Sequence, residues 1–390
     1  MTLIGADDII IHGINSTIID GGKAMNDNTF APRFAANPII SQNLEDIARS
    51  SWLVDRVLIM PKQQDWIRRN VSVERAVGTT AIEGAVMSEE QVKELEKRRP
   101  QRTTSEDERE NLNALRAYEF IDYLSDQPDI PINELVIREL NRQFMHGASE
   151  VLTPGVYRKG QNRVGSYMPP DQGDAPVLMR AFSQWLEQDD ETQPVVKAGI
   201  AHIHLAAIHP FWDGNGRVAR ALATLILQRS PFHFRKLLSL EKFMATPAVQ
   251  QQYRAAIEET LGSQFSREYN ATPWLAFFTT ALNMHSRHLE QKLADWHRMI
   301  EEIYGSMAEL GVTYRQTEGL TYAYHMGRMT RGDYIEITGV SPETASRDLA
   351  RLVAKGLLIA KGNTRSRVYL KPEPKREPTD MSPQQLPLPE

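Results

Sequence analysis

Twelve consecutive residues, His209 to Arg220 (HPFWDGNGRVAR), bring together an imidazole, a carboxylate, two glycines and two guanidinium groups. Each has a use around a phosphorylated ligand. Pro210 disfavours helical backbone in the residue before it, so a helix leading into the motif ends near His209 and presents the imidazole at its end. Asp213 offers one hard oxygen, which suits Mg²⁺ shared with substrate phosphates better than a cage made of protein alone. Gly214 and Gly216 free the backbone on either side of Asn215 for close approach to a ligand. A helix starting there adds its N-terminal amides and dipole, forming an anion cradle. Arg217 and Arg220 lie three apart on that helix, share a face, and can clamp one polyphosphate. Phe211, apolar between polar neighbours, reads as an anchor into the core. A base, a metal carboxylate, an anion cradle and two arginines describe phosphoryl or nucleotidyl transfer, which is catalysed mainly by positioning and charge neutralisation.

Taken singly these pieces are ordinary. A histidine before a helix end is more often structural, and a Gly-Asn-Gly turn is more often only a loop. Eight or nine specified residues in twelve positions are not explained that way.

The elements that must hold this stretch are helical. PVVKAGIAHIHLAAI runs straight into it, and RALATLILQRS, which follows, is apolar nearly all round, as a central core helix is. Upstream, apolar residues recur at three- and four-residue spacing from SQNLEDIARSSWLV to VERAV. Ser88 and Gln91 mark a helix start with a capping signature. Pro128 and Pro131 separate two further helices, the second ended by Gly147. TPGVYRKGQNRVGSYMPP differs: Gly155, Gly160 and Gly165 alternate with the β-formers Val156, Tyr157, Val164 and Tyr167 before a double proline. It reads as a short β-hairpin or flap in a helical region.

Competing chemistries fall away. His202 and His204 are two apart on a helix and point to different faces, whereas helical metal sites use i and i+4, so they read as packed core histidines. There is no GxxxxGK[ST] phosphate loop. The 390 residues contain no cysteine, which excludes disulfides, a thiol nucleophile and thiolate metal sites. A net charge of −5 is not that of a nucleic-acid-binding polycation. Asp7 and Asp8 stand where a signal peptide needs basic residues, and no run approaches the ~20 apolar residues that span a bilayer. The expected location is cytoplasmic, without membrane contact.

At this point the sequence resembles the Fic family, whose motif HxFx[DE]GNGRxxR is matched at His209, Phe211, Asp213, Gly214, Asn215, Gly216, Arg217 and Arg220. The resemblance covers residues ~60 to 300 and implies a helical Fic bundle with a flap. Family enzymes mostly transfer AMP from ATP to a protein hydroxyl. Carried over, His209 would deprotonate a target Ser, Thr or Tyr, and Asp213 would hold Mg²⁺ across the α- and β-phosphates. Asn215 and the amides of Gly214 and Gly216 would bind phosphate oxygens, and Arg217 and Arg220 the β- and γ-phosphates. The flap, Lys159, Gly160, Gln161, Asn162, Arg163 and Val164, would pair with the target segment as an added strand. The adenine pocket has no comparably defined motif; Tyr253 is the candidate for it.

A second match is TTAIEG, Thr79 to Gly84, which is similar to the family's inhibitory motif [ST]xxxE[GN]. Thr79 and Glu83 are four apart and share a helical face, with Gly84 as a stop. The resemblance implies that Glu83 pairs with Arg220 and displaces the γ-phosphate, so that ATP binds only in an unreactive pose. The inhibition would be intramolecular.

Farther on, RGDYIEITGVSPETASRDLARLVAKGLLIAKGNTRSRVYL reads as a helix, a turn at Gly339, a second helix capped by Ser341 and Pro342, and a β-hairpin turning at KGNT. Ala345, Leu349, Leu352 and Val353 form the buried stripe of a winged helix-turn-helix. Nine basic residues against four acidic ones between Gly327 and Lys371 give a local +5, with Arg347 on the second helix and Arg365 and Arg367 on the wing placed for DNA. Winged helices also serve as packing or dimerisation units.

The expectations are therefore a mostly α chain. Residues 1–40 form an irregular arm and 41–110 a helical region carrying the inhibitory helix. Residues 111–305 form the Fic core, 306–371 the winged helix, and 372–390 a disordered proline-rich tail. The expected activity is an autoinhibited protein adenylyltransferase using Mg²⁺ with ATP, acting on an unidentified protein or on itself; a homodimer is common among similar proteins. The alternatives are a DNA-binding regulator with the Fic domain as nucleotide sensor, and the same fold removing AMP or transferring another phosphate-linked group.

Overall fold

The computed structural model describes residues 29–57, 59, 61–99, 103–148, 153–189, 191–363 and 367–372. Most of the expected arm, and all but the first residue of the expected tail, lie outside them. The chain divides into two compact units, residues 1–293 and 294–390.

The first unit is helical. It contains α1 (Pro38–Arg56), α2 (Pro61–Ile82), α3 (Glu89–Arg98), α4 (Glu106–Ser125), α5 (Glu134–Phe144), α6 (Ala175–Gln188), α7 (Pro194–Ile208), α8 (Asn215–Gln228), α9 (Leu240–Met244), α10 (Pro247–Leu261) and most of α11 (Thr272–Gly305). The apolar periodicity that runs unbroken through residues 41–77 is interrupted at Val57, whose backbone is extended (φ −63°, ψ 125°), before Pro61 opens α2. A proline lacks the N–H that a continuous helix would use, so it fits the first turn of a new one. Ser88 caps α3 as expected, accepting from Gln91 N while the Gln91 side chain accepts from Ser88 N.

The core is built on α7 and α8, which pack extensively on each other, with α2, α4 and α5 against α8. Nearly every residue of both helices is buried. At Gly199 of α7 a methyl group would sit 2.8 Å from Leu275 Cδ2, so glycine permits α11 to close on α7. The Trp274 indole of α11 donates to the Gly199 carbonyl there at 2.7 Å.

The expected hairpin at 153–170 contracts to a single antiparallel bridge, Val164↔Tyr167. Its longer-range main-chain bonds go outward. Met168 N donates to Ser263 O and Phe265 N to Met168 O, both at 2.9 Å, so the second half of the segment pairs with a distant loop instead of with its own first half.

The second unit begins inside α11, twelve residues before the helix ends and before the boundary that the sequence suggested. It continues through α12 (Met307–Leu310), α13 (Tyr314–Met326), β1 (Met329–Thr330), α14 (Arg331–Thr338), α15 (Pro342–Ala354), β2 (Ile359–Lys361) and β3 (Val368–Leu370). The strands form an antiparallel sheet in the order β1-β3-β2, with Met329 and Ala360 both opposite Tyr369. Gly339 turns the chain at φ 69°, and the Ser341 hydroxyl accepts from Thr344 N. Ala345, Leu349 and Leu352 are fully buried, and Val353 is half-buried. Asp348 is buried among them, bonded by Arg315 (2.7 Å), Gln316 (3.0 Å) and the Tyr334 hydroxyl (3.0 Å). Arg347 is exposed; Arg365 lies outside the described residues. Among the described residues no helix is long and apolar enough to cross a membrane.

Candidate active site

α7 ends at His209, which adopts left-handed backbone (φ 48°, ψ 56°) and donates its N–H to Leu205 O at 2.9 Å. That conformation costs a non-glycine residue about 1–2 kcal/mol and is kept only where the surroundings hold it. The surroundings are specific. Arg158 donates through Nε to the His209 carbonyl (2.9 Å) and through its backbone N–H to the Pro210 carbonyl (2.8 Å). Burial, and then the Arg158 charge, lower the His209 imidazole to about 4. It is neutral near pH 7 and ready to accept a proton.

The turn that follows is closed by Asn215. Its Oδ1 accepts from Phe211 N (3.0 Å) and its Nδ2 donates to Phe211 O (2.9 Å), while the Phe211 ring is 1% exposed. The Asn215 side chain thus ties the loop, using one of its two amide hydrogens. From α5, Asn141 donates to Asp213 O (2.9 Å) and accepts from Gly155 N (2.8 Å), tying the turn to the base of the flap.

Gly214, at φ 80°, is the N-cap of α8 and supplies no capping side chain. The first amides of α8 thus lack a side-chain acceptor, leaving the cradle that a helix start offers to an anion. Asp213 accepts from Gly214 N (2.5 Å) and from Arg217 Nη2 (3.2 Å), yet its side chain remains 52% exposed. Among the described residues no cluster of three or more His, Asp or Glu could hold a metal ion. A single open carboxylate fits Mg²⁺ that completes its coordination with phosphates and water.

The two arginines share a face of α8 as expected, and each meets a carboxylate. Arg217 pairs with Glu110 Oε1 of α4 at 3.2 Å as well as with Asp213. Among the described residues its buried Nε has no hydrogen-bond partner. Arg220 donates to Thr79 Oγ1 (2.9 Å), Thr79 O (3.1 Å), Glu83 Oε1 (2.6 Å) and the Tyr253 hydroxyl (3.4 Å). Burial alone would weaken this cation and raise the Glu83 carboxyl. Their mutual attraction overrides it, holding Arg220 above and Glu83 below their ordinary ranges. The Arg220 side chain is 2% exposed and that of Glu83 36%, so the carboxylate approaches from the open side. Glu83 is the first residue beyond α2, with Gly84 at φ 107° behind it. Gly216 gives it room, since a methyl group there would lie 2.7 Å from Glu83 Oε1.

Tyr253 does not line an open adenine pocket. It is 5% exposed, hydrogen-bonded to Arg220 and to His202 Nε2 (3.1 Å), and packed on Trp274. Its place behind the guanidinium follows from α10 packing its apolar face inward. His202 and His204 are core residues as expected: burial holds His202 well below its usual value and His204 near 3, and His204 Nδ1 meets the Tyr269 hydroxyl at 3.0 Å.

The flap lies over the turn. Gly160 faces the half-exposed Trp212 ring, where a methyl group would be 3.0 Å from Cη2. Gln161 donates to Pro169 O (2.9 Å), and Asn162 points toward Phe211 O at 3.5 Å. Lys159, Arg163 and Val164 are exposed. Among the described residues no main-chain bond joins 159–163 to another segment. Glu110, Asn141 and Arg158 carry no local signal in the sequence, because each acts across a long stretch of chain.

Residues 131–227 match the Fic/DOC family. The protein adenylyltransferase Fic of Drosophila mojavensis is 41% identical over 98 residues, 25% of this chain and 19% of that protein. Its Drosophila melanogaster counterpart is 39% identical over 106 residues, 27% and 21% respectively. The chain thus spans about a fifth of the length of these curated relatives. A Fic family protein from Desulfovibrio desulfuricans G20 superposes with a TM-score of 0.56 at 21% identity, over 89% of this chain and 100% of that one. Fic-1 (residues 134–508) from C. elegans gives 0.53 at 21% identity, over 67% and 75%. The fold around the site is that of Fic proteins.

Proposed function

We propose that this chain is a protein adenylyltransferase, moving AMP from ATP to a Ser, Thr or Tyr hydroxyl of a protein, and that Glu83 restrains it. The observation that carries the reading is one arrangement: a neutral His209 at a helix end, the open Asp213, the uncapped start of α8 and two buried arginines, all within one turn and its helix. In the reaction His209 takes the hydroxyl proton, the oxygen bonds to the α-phosphorus, and the bond to the β-phosphate bridge breaks to release pyrophosphate. The α8 amides and Arg217 hold phosphate oxygens, with Glu110 orienting Arg217. Mg²⁺ on Asp213 would supply charge neutralisation across the phosphates. Arg220 can grip the γ-phosphate only when Glu83 leaves it. A carboxylate in that place both occupies the arginine and repels the phosphate. The relatives' name, protein adenylyltransferase Fic, supports the transfer chemistry.

The test is which phosphate travels. Incubated with ATP labelled at the α- or the γ-phosphate, the Glu83→Gly protein is expected to acquire covalent α-label and no γ-label. Covalent γ-label would replace adenylyl transfer with phosphoryl transfer.

A second reading concerns residues 306–371 alone, which we read as a winged helix. α15 exposes Arg347 and Arg351 on the face away from its buried stripe, a footprint for DNA phosphates. A salt-dependent mobility shift of genomic fragments, lost in Arg347→Glu, would support it.

A further inference from the structure

Arg158 is 2% exposed, and among the described residues it forms no ion pair with a carboxylate. Its guanidinium is solvated by oxygens of the chain: His209 O through Nε (2.9 Å), Gly160 O (3.1 Å) and Gln161 Oε1 (3.3 Å) through Nη1, and Pro170 O through Nη2. Its own N–H reaches Pro210 O (2.8 Å). Burial weakens this cation, the Asp171 charge only partly offsets that, and its hydrogen bonds must be satisfied. The acceptors here belong to both ends of the flap and to the turn that carries the base.

We infer that Arg158 is a positioning residue that couples the target-docking flap to His209. It fixes the distance between a docked hydroxyl and the imidazole without touching either substrate. A planar fork suits the task, since one side chain reaches carbonyls of separate segments that a single ammonium cannot join. Among the described residues no main-chain bond joins 159–163 to another segment, so this side chain, with Gln161 on Pro169 O, supplies restraint at that end. The inference rests on the adenylyltransferase reading for its consequence but not for its geometry.

The experiment compares Arg158→Met and Arg158→Lys in the full-length Glu83→Gly protein, by AMP transfer, by ATP affinity, and by hydrogen exchange of peptides covering 158–168 and 209–214. A misplacement of about 1 Å costs on the order of 100-fold in rate. Arg158→Met is expected to lose about that much transfer while binding ATP within about twofold of its parent. Arg158→Lys keeps the charge but only part of the tie, and recovers part of the rate. In both variants the two peptides exchange faster together. Faster exchange in the flap with the 209–214 peptide unchanged overturns the coupling, as does transfer within twofold of the parent in both variants. A parent that transfers no AMP defeats the proposed activity and leaves the exchange result to decide the coupling. Should Arg158→Met fail to fold, Arg158→Lys decides it alone.

Discussion

The turn from His209 to Gly214 and the flap from Thr153 to Pro170 lie against each other and are built in different ways. The turn has local anchors, to which Arg158 and Asn141 add ties from outside. Asn215 closes it onto Phe211, the Phe211 ring fills the core, and Gly214 bends into α8. The flap has one main-chain bridge of its own, side-chain bonds from Arg158 and Gln161 within it, and many partners elsewhere: Arg138 and Asn141 on Gly155, Ser263 and Phe265 on Met168, the Ala207 carbonyl on the Tyr167 hydroxyl, and Arg158 reaching back to His209. The difference lies in how much backbone is committed: the turn closes on a neighbour in sequence, whereas among the described residues 159–163 make no main-chain bond to another segment, which suits the strand addition proposed for the flap.

Breaking the chemistry without the anchors gives the largest effect. His209→Ala removes the proposed base but leaves the Asn215 and Arg158 bonds, so AMP transfer is expected to fall about 10²- to 10⁴-fold while ATP affinity, measured by calorimetry, stays within a few-fold. A matching loss of ATP affinity would mean the imidazole belongs to the nucleotide site. Breaking the turn's anchor comes next. Asn215→Ala strands the buried N–H and C=O of Phe211 and costs about 1–3 kcal/mol in denaturant unfolding. An unchanged midpoint would show that the turn does not depend on it. The flap's ties are individually smaller. Tyr167→Phe deletes the 2.8 Å bond to Ala207 O and costs about 1 kcal/mol. A loss as large as that of Asn215→Ala would erase the distinction between distributed and local anchoring.

The same distinction explains what could be read from the sequence. The helices, the Ser88 and Ser341 caps, the turn at Gly339 and the core placement of His202 and His204 follow from residues within a few positions of one another, and they are found as expected. Thr79 and Glu83 were legible as a pair by their spacing, and both meet Arg220. Glu110, Asn141 and Arg158 were not, since their partners are 107, 72 and 51 positions away and nothing nearby announces them. The flap reads as a hairpin because glycines and β-forming residues cluster in it, while its pairing is taken up by a loop near residue 264. Tyr253 misled in the other direction, its aromatic ring being used for packing behind Arg220.

Intact-mass measurement of the wild-type and Glu83→Gly proteins after incubation with ATP and Mg²⁺ tests the proposed restraint at the Glu83–Arg220 contact most directly. AMP accumulating on the variant at least about tenfold faster than on the wild type is the predicted result, equivalent to about 1.4 kcal/mol of restraint removed. Equal or slower modification of a folded variant would contradict it.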